Sequence, residues 1–310
     1  MAETMATRQA YGKALIELGE KYPQLVVMDA DLSKSTMTAE CGKTYPERFF
    51  NMGIAEQNLY GAAAGLALSG KIVCASTFAM FATGRAFEII RNSIGYTKAN
   101  VKICATHAGI TVGEDGASHQ TFEDIALMRT IPGMTVINPS DGVSAKKLLE
   151  QAVAMDGPCY VRLGRAKVPV FYEDSDQLTL GKGNLVKDGK DVTIVATGIM
   201  VSEAMAAAEK LKEDGIDARI IDIHTIKPID EEILIKAAQE TGAIVTAEEH
   251  SIIGGLGSAV AEVIVKNCPV KMAMVGQKDT YGESGKPDEL KKKYGMTAED
   301  IEAAVKGLIG

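Results

Sequence analysis

The chain of 310 residues lacks tryptophan, long basic tracts and long apolar runs. No stretch approaches the ~18 apolar residues of a membrane span, so we expect no membrane segment. The net charge is −8, and no basic tract is longer than Lys291-Lys292-Lys293, which argues against a nucleic-acid partner. The N-terminus has no basic start followed by an apolar block, so we expect no signal peptide and a cytoplasmic location.

Motifs for metals and nucleophiles are also missing. The five cysteines never occur in CxxC spacing, which favours reduced, mostly buried thiols over disulfides or a zinc site. His107 and His119 are twelve residues apart, without a third His or Cys at ligand spacing, so we expect no metal site within this chain. The absence of a G-x-S-x-G motif argues against a serine nucleophile.

Short β-branched runs alternate with helical patterns along the chain. Most of these runs are apolar on both faces, as in the covered strands of a parallel sheet. The alternation predicts an α/β fold made of two doubly wound domains with mostly parallel sheets. We expect strands at residues 25–30, 71–77, 101–107, 135–139, 159–164, 191–197, 218–224, 243–249 and 271–276.

Residues 166–190 interrupt this alternation, because they are polar, contain turn residues and lack helical periodicity. We therefore expect a first domain at 1–165, a linker at 166–190 and a second domain at 191–310. Several helix ends are marked by their residue types. Asp230 is expected to begin a helix that Gly242 closes, and two pairs have capping-box spacing, Thr121 with Asp124 and Thr297 with Asp300.

One polar segment stands out as a candidate site. "THAGITVGEDGASHQ", residues 106–120, contains two of the four histidines, His107 and His119, together with Glu114 and Asp115. Ligands of doubly wound sheets bind at the carboxyl ends of strands, and this segment follows a predicted strand. Residue types alone leave open a plain Gly-rich connection with capping residues.

A second segment, "EQNLYGAAAGLAL", places the carboxylate of Glu56 before a run of small apolar residues at 61–68. Such a run predicts tight packing and burial, where a charge is costly. Phe78 and Phe81 lie at the end of the next predicted strand. Taken alone, the two rings are typical of core residues, and Glu56 is typical of a helix start.

Read together, these motifs resemble the C-terminal half of transketolase. "GIAEQN" (53–58), "STFAMF" (76–81), residues 107–141 and "VRLGR" (161–165) occur in the family's order and at compatible spacing. The likeness begins near Arg8, covers essentially the whole chain and is stronger in the first domain. It implies a thiamine-diphosphate pyrimidine-binding domain followed by the transketolase C-terminal domain. The implied reaction moves a two-carbon ketol unit from a ketose phosphate to an aldose phosphate.

The resemblance also implies a partner chain. The family's metal-binding signature, GDG followed by Asn, does not occur in this sequence. We therefore expect an N-terminal transketolase subunit that carries GDG…N and holds the diphosphate together with Mg²⁺ or Ca²⁺. The assembly is expected to be a dimer or α2β2, and this chain is expected to be inactive by itself.

Four residues match the family's cofactor site. In the family, the Glu at the position of Glu56 hydrogen-bonds the N1′ nitrogen of the aminopyrimidine ring, and an apolar cleft would favour its proton-bearing form. Phe78 and Phe81 match residues that wall the ring. Asp31 matches an acidic position near the cofactor and the subunit contact.

The family's third aromatic of this wall is missing. Gly84 lies at its position and is followed by Arg85. The sequence has one extra residue before Arg91, so Phe87 is the candidate replacement.

The substrate residues divide into a sugar-binding pair and a phosphate clamp. Asp115 and His119 match residues that hydrogen-bond the hydroxyls of the donor sugar, and an imidazole such as that of His119 suits proton movement there. The clamp consists of Arg8, Ser35, His107 and Arg165, whose guanidinium groups suit phosphate. All four are present, which favours phosphorylated sugars over free ketoacids.

Two alternatives remain open at this stage. One is the β-subunit of a 2-oxoacid dehydrogenase E1 component, which has no reason to keep "GEDGASHQ" and the clamp. The other is a non-catalytic α/β regulatory subunit, which has no reason to keep Glu56. The motifs of deoxyxylulose-phosphate synthase diverge around the same loop. In the second domain we expect His224 and His250 at turns, with structural or interface roles.

Overall fold

A computed structural model describes residues 3–310, which form layered α/β units. The strands are β1 (Thr4–Met5), β2 (Leu25–Asp29), β3 (Phe49–Asn51), β4 (Ile72–Phe78), β5 (Val101–Thr106), β6 (Thr135–Ile137), β7 (Cys159–Arg162), β8 (Val168–Pro169), β9 (Asn184–Lys187), β10 (Val192–Ala196), β11 (Ala218–Asp222), β12 (Thr225–Lys227), β13 (Ala243–Ser251) and β14 (Lys271–Gln277). The predicted strands are all present, and the additional ones are short.

The helices cover the sheets. They are α1 (Thr7–Lys21), α2 (Ser33–Thr36), α3 (Ala39–Thr44), α4 (Glu56–Leu68), α5 (Phe87–Ile89), α6 (Asp124–Thr130), α7 (Gly142–Ala154), α8 (Met200–Glu213), α9 (Glu231–Thr241), α10 (Leu256–Asn267), α11 (Pro287–Lys293) and α12 (Ala298–Ile309). Pro46–Arg48 and Ile110–Asp115 are 3-10 segments, and Phe81–Arg85 and Ile90–Gly95 are π-helical. Within residues 3–310, no helix is long and apolar enough to cross a bilayer.

The sheets are mostly parallel. The first has the order β12-β6-β7-β5-β4-β2-β3, in which β12 alone is antiparallel to its neighbour among the described residues. The second has the order β14-β13-β10-β11-β9, with β9 antiparallel to β11. Strands β2, β4 and β5 are buried along their whole length, because helices cover both faces. The predicted fold class, two doubly wound α/β domains, is therefore confirmed.

The two halves of the chain share secondary structure. Strand β12 comes from the second half but pairs with β6 of the first sheet. In the segment predicted as a linker, β8 pairs with β1 and β9 forms the edge of the second sheet. One buried apolar cluster contains residues of both halves, among them Val136, Ile226 and Leu256. The boundaries at residues 165 and 191 remain a prediction.

The predicted helix ends meet different outcomes. The Asp230 side chain accepts a hydrogen bond from Ile233 N at the start of α9, and Gly242 ends that helix in the left-handed conformation. Asp300 accepts from Thr297 N at the start of α12, as predicted. The capping box of Thr121 with Asp124 is wrong, because α6 begins at Asp124 itself and that carboxylate binds other residues.

The small-residue run is only partly buried, contrary to the sequence expectation. One face of α4 packs into the core through Leu59, Tyr60, Ala63, Ala64 and Ala67. Gly61, Gly65 and Leu68 lie on the opposite face and are exposed. The run has helical periodicity, so small side chains fall on both faces and only one of them meets the sheet.

Candidate functional site

The carboxyl ends of four neighbouring strands meet at one edge of the first sheet. These strands, β7, β5, β4 and β2, are parallel to one another. Phe78 ends β4, while Asp31, His107 and Arg165 follow β2, β5 and β7 within three residues. Asp31 and His107 have positive φ values of 63° and 58°, a conformation that costs free energy in non-glycine residues and is enriched at functional sites.

Aromatic rings form the floor of this edge. The rings of Phe78 and His107 stack with centroids 3.8 Å apart, and those of Phe78 and Phe81 lie 6.0 Å apart at 13°. His119 meets Phe81 edge-on at 5.3 Å. The predicted cofactor wall and two predicted substrate residues thus belong to one cluster. A flat, partly apolar ligand could lie against it.

Glu56 lies beside these rings, at the first position of α4. It is 2% exposed, and its Oε2 accepts a hydrogen bond from Arg85 Nη1 at 2.9 Å. The Arg85 side chain is 50% exposed and its guanidinium lies 4.7 Å from the centre of the Phe81 ring. The expectation of an apolar cleft is therefore wrong in one respect, because a cation contacts the buried carboxylate.

The position predicted for the third aromatic lies in the π-helical segment Phe81–Arg85. A π-helical turn accommodates one extra residue within a helix, which is compatible with the extra residue that the resemblance implies before Arg91. Gly84 is exposed in this segment, and Arg85 covers the Phe81 ring. Phe87 instead packs against the main apolar core. Among the described residues it makes no ring contact with Phe78 or Phe81.

The four residues of the predicted phosphate clamp come from four separate segments of the chain. Arg8 Nη1 donates to the backbone oxygen of Ser35 at 2.7 Å and lies 3.2 Å from His107 Nε2. Arg165 Nη1 donates to Val112 O and, at 2.9 Å, to a carboxylate oxygen of Glu114. Within residues 3–310, Arg8 has no carboxylate partner, and its Nε is buried without a hydrogen bond. This leaves donor capacity for an anion.

The charges at this clamp influence one another. Burial lowers the pKa of Arg8, and the nearby charge of Arg165 lowers it further. Burial, Arg8 and Arg165 together lower the pKa of His107 to about 3, so its ring is neutral at physiological pH. Because arginine only donates, His107 Nε2 accepts from Arg8, and His107 Nδ1 donates to Thr106 Oγ1 at 2.8 Å.

Two predicted site residues lie at the periphery. Asp31 is exposed and exchanges hydrogen bonds with Asn51, which accepts from Asp31 N and donates to its carboxylate, both at 3.1 Å. Asn51 also accepts from Gly53 N and so fixes the turn that leads to Glu56. Asp115 is exposed at the end of the 3-10 segment, and no hydrogen bond joins it to the aromatic cluster in the described part of the chain.

A buried charged network beneath the site was not predicted from the sequence. Arg162 donates to both carboxylate oxygens of Asp124, at 2.7 and 3.2 Å, and to Glu249 O at 2.9 Å. Burial opposes ionisation of Asp124, but the Arg162 charge lowers its pKa below the usual value. Glu249 belongs to the second half of the chain and accepts from Thr111 N. The network therefore joins the two halves directly below residues 107–120.

The remaining histidines have structural surroundings. His250 lies within β13 rather than at a turn, and its Nδ1 donates to Ser251 O at 2.7 Å. His224 lies between β11 and β12 and contacts Thr225 and Asn184. Burial lowers the pKa of each ring to about 4. In the described residues, no group of three or more His, Cys, Asp or Glu side chains could hold a metal ion.

Known protein families match both halves of the chain. The pyrimidine-binding domain of transketolase matches residues 3–170, and the transketolase C-terminal domain matches residues 181–301. Among solved structures, one described as a split gene transketolase in an inactive beta4 tetramer has a TM-score of 0.93 and 56% identity. The match covers 98% of both chains.

Individual relatives match nearly all of this chain. A protein of Methanocaldococcus jannaschii named as a transketolase C-terminal section is 57% identical over 95% of this chain and 93% of its own length. A 6-deoxy-6-sulfo-D-fructose transketolase subunit of Clostridium sp. is 44% identical over 95% of this chain and 91% of its own length. Human transketolase is 37% identical over 100% of this chain, which spans 50% of the human protein. The chain belongs to the transketolase family of thiamine-diphosphate-dependent transferases, of which it comprises the pyrimidine-binding and C-terminal domains.

Proposed function

We propose that this chain is the working C-terminal subunit of a split transketolase, which moves a two-carbon ketol unit from a ketose phosphate to an aldose phosphate. It acts with an N-terminal subunit whose GDG…N motif holds the diphosphate and Mg²⁺ or Ca²⁺. The assembly is a dimer or α2β2 in the cytoplasm. The observation that carries this proposal is the placement of Glu56, the Phe78–Phe81 pair and two arginines around one sheet edge.

The residues at this edge fit the pyrimidine half of thiamine diphosphate. Glu56 uses Oε2 for Arg85, and no hydrogen bond to Oε1 is present among the described residues. A ring nitrogen could therefore share a proton with Oε1 while its ring lies against Phe78 and Phe81. Asp31 and Asn51 fix the turn before Glu56. When bound, the cofactor supplies the nucleophilic carbon.

The remaining residues suit a phosphorylated sugar. Arg8 and Arg165 offer charged donors, while neutral His107 and Ser35 set the geometry of the clamp. His119, edge-on to the aromatic floor, is close enough to hold or move a proton at the sugar end. Asp115, exposed at the rim, is available to sugar hydroxyls.

The test is reconstitution with an N-terminal transketolase subunit, thiamine diphosphate and Mg²⁺. We expect turnover of xylulose 5-phosphate by the mixture and none by this chain alone. Glu56→Gln should lower kcat at least about 100-fold, as expected for loss of a positioned acid–base group, with the fold retained. Glu88→Gln, a change at an exposed glutamate on the neighbouring helix, is the control. Wild-type activity of the Glu56→Gln mixture would refute the assignment.

A further inference from the structure

Glu249, in the second half of the chain, contacts residues 107–120, which we call the substrate loop. It lies in β13, is 3% exposed, and its Oε1 accepts from Thr111 N at 2.7 Å. Its carboxyl also lies against Gly109, where an added Cβ would overlap it. Gly109 has φ +80°, which favours glycine. The carboxyl of Glu249, in the second half, thus contacts the backbone of the substrate loop, in the first half.

The substrate loop carries several proposed substrate contacts. Val112 O and the Glu114 carboxylate accept from Arg165, so the loop holds one arginine of the clamp. Gln120 Nε2 donates to Glu283 O at 2.9 Å and bridges to Ile110 O at 3.3 Å. The second domain therefore binds the loop through two hydrogen bonds. One is accepted by the backbone oxygen of Glu283, and the other by the side-chain carboxyl of Glu249, next to the turn that leads to Thr111.

Glu249 is itself held in place, mainly through its backbone oxygen. Arg162 Nη2 donates to Glu249 O at 2.9 Å, and Arg162 Nη1 lies 4.0 Å from Glu249 Oε2. The other side of Arg162 is fixed by Asp124, which also accepts from Tyr160 at 2.6 Å. The Glu249 side chain is buried and its Oε1 is bound to Thr111 N, so it has few alternative rotamers and can determine where the loop backbone lies.

We propose that Glu249 is a positioning residue for the substrate loop, acting through Thr111 N and Gly109 to set Arg165 for the phosphorylated donor. The kinetic part of this inference rests on the proposed function. The contact itself does not. In this arrangement the second domain contributes to donor binding rather than only to assembly.

Glu248 provides a matched control for the test. It is also a buried carboxylate on β13, and it accepts backbone hydrogen bonds from Leu256 N and Gly257 N, without touching the loop. In the isolated chain, Glu249→Gln should raise the amide hydrogen-exchange rate of Thr111 about tenfold or more, because a charge-assisted hydrogen bond is weakened. Glu248→Gln should leave that rate unchanged. Equal exchange rates in the two variants would overturn the proposal.

The kinetic arm uses the chain assembled with its N-terminal subunit. Glu249→Gln should raise KM for the ketose phosphate about tenfold with kcat changed less than about threefold, whereas Glu248→Gln should leave KM unaltered. If Glu249 had only a structural role, KM would change equally in the two variants, or kcat would change as much as KM in Glu249→Gln. Either result would overturn the proposal. If the wild-type mixture has no transketolase activity, the proposed function fails, while the exchange arm still decides the contact.

A second pair of variants covers the case in which Glu249→Gln does not fold. Gly109→Ala forces a methyl group into the Glu249 carboxyl from the loop side. Gly133→Ala imposes similar backbone strain, at φ +74°, where a Cβ meets no atom of the described residues within 4 Å. Gly109→Ala should reproduce the faster exchange of Thr111, and Gly133→Ala should not. Matching behaviour of these two glycine variants would contradict the proposed contact.

Discussion

Glu56 and Arg85 form an ion pair whose two partners differ in exposure, 3% and 50% for their side chains. A buried carboxylate without a partner lowers the stability of the fold, whereas a half-exposed guanidinium remains hydrated and costs little when it is unpaired. Arg85 also lies over the Phe81 ring, which keeps its charge near the carboxylate. In the isolated chain, Arg85 is therefore the partner of the Glu56 carboxylate, and a bound ring would compete for or share that carboxylate.

This pair can be tested without any partner or cofactor. Arg85→Met should destabilise the isolated chain at pH 7.5 by about 1–3 kcal/mol, because it leaves a buried carboxylate alone. The double variant Glu56→Gln with Arg85→Met should recover most of that loss. Urea unfolding of the four species measures the coupling. Arg91→Met, at a nearby exposed arginine, is the control and should stay within about 0.5 kcal/mol. Strict additivity of the two single changes would disprove the pairing.

Arg165 is the second residue whose role can be separated from stability. Its guanidinium is anchored on the substrate loop through Val112 O and Glu114. Arg165→Ala should raise KM for a phosphorylated donor about 10- to 100-fold, the value of one charge-assisted contact, and spare an unphosphorylated ketose. Steady-state kinetics of the reconstituted enzyme with both donors gives the answer. Lys167→Ala, at an exposed neighbour, should change neither KM, and equal losses on both donors would count against the clamp.

At the level of elements, a buried carboxylate ties β11 to the start of α7. Asp222 Oδ2 accepts from Ser140 Oγ at 2.6 Å and from Tyr172 Oη at 3.0 Å, while Oδ1 has no hydrogen-bond partner among residues 3–310. Burial raises the pKa of Asp222 to about 7, above the ~3.9 of an unfolded chain. The folded state therefore retains a proton that the unfolded state loses. Its contribution to stability is complete below about pH 4 and is lost as pH rises through about 7.

This gives a prediction with a definite sign. Between pH 5 and pH 8, the melting temperature of the wild-type chain should fall more than that of Asp222→Asn. The expected difference between the two falls is about 2–4 °C for each kcal/mol of stability that the proton on Asp222 contributes. Glu248, whose pKa burial also raises to about 7, remains in both proteins and keeps some pH dependence. Thermal melts at the two pH values make the comparison. Parallel curves for the two proteins would show that Asp222 does not titrate in this range.

The elements that the sequence predicted share a simple signal. Runs such as 25–30 and 101–107 are mostly apolar, and the strands β2 and β5 that they form are buried along their whole length, as covered parallel strands are. The missed strands are two to four residues long, and β12 exists only because β6 of the other half lies beside it. Strands of this kind depend on tertiary pairing, which local pattern does not record.

The candidate site also has a part that the sequence predicts and a part that it does not. The placement of the loops that follow the strands could be predicted, because parallel strands end at one edge of the sheet. The contacts that hold them could not, since Arg85 and Glu56 are 29 residues apart and Thr111 and Glu249 are 138 apart. The extra residue that the resemblance implies before Arg91 is compatible with the π-helical turn that brings Arg85 over Phe81.

For the whole molecule, the central question is whether the two halves fold independently. Strand β12 of the second half completes the first sheet, and the buried cluster runs through both halves. The Arg162 network adds charged contacts between them, in which a lost partner would leave a buried charge. Each half therefore supplies surface that the other needs in order to be buried, which favours a single cooperative unit.

Calorimetry tests this cooperativity directly. The full chain should unfold in one transition, and Ile226→Ala, a change in β12 at a residue 2% exposed, should shift that whole transition downward. The expected loss is about 2–5 kcal/mol, typical of removing a buried isoleucine side chain. Val265→Ala, at an exposed apolar residue of α10, is the control and should leave the transition in place. Two resolved transitions, of which Ile226→Ala moves only one, would mean that the halves unfold separately despite the shared sheet.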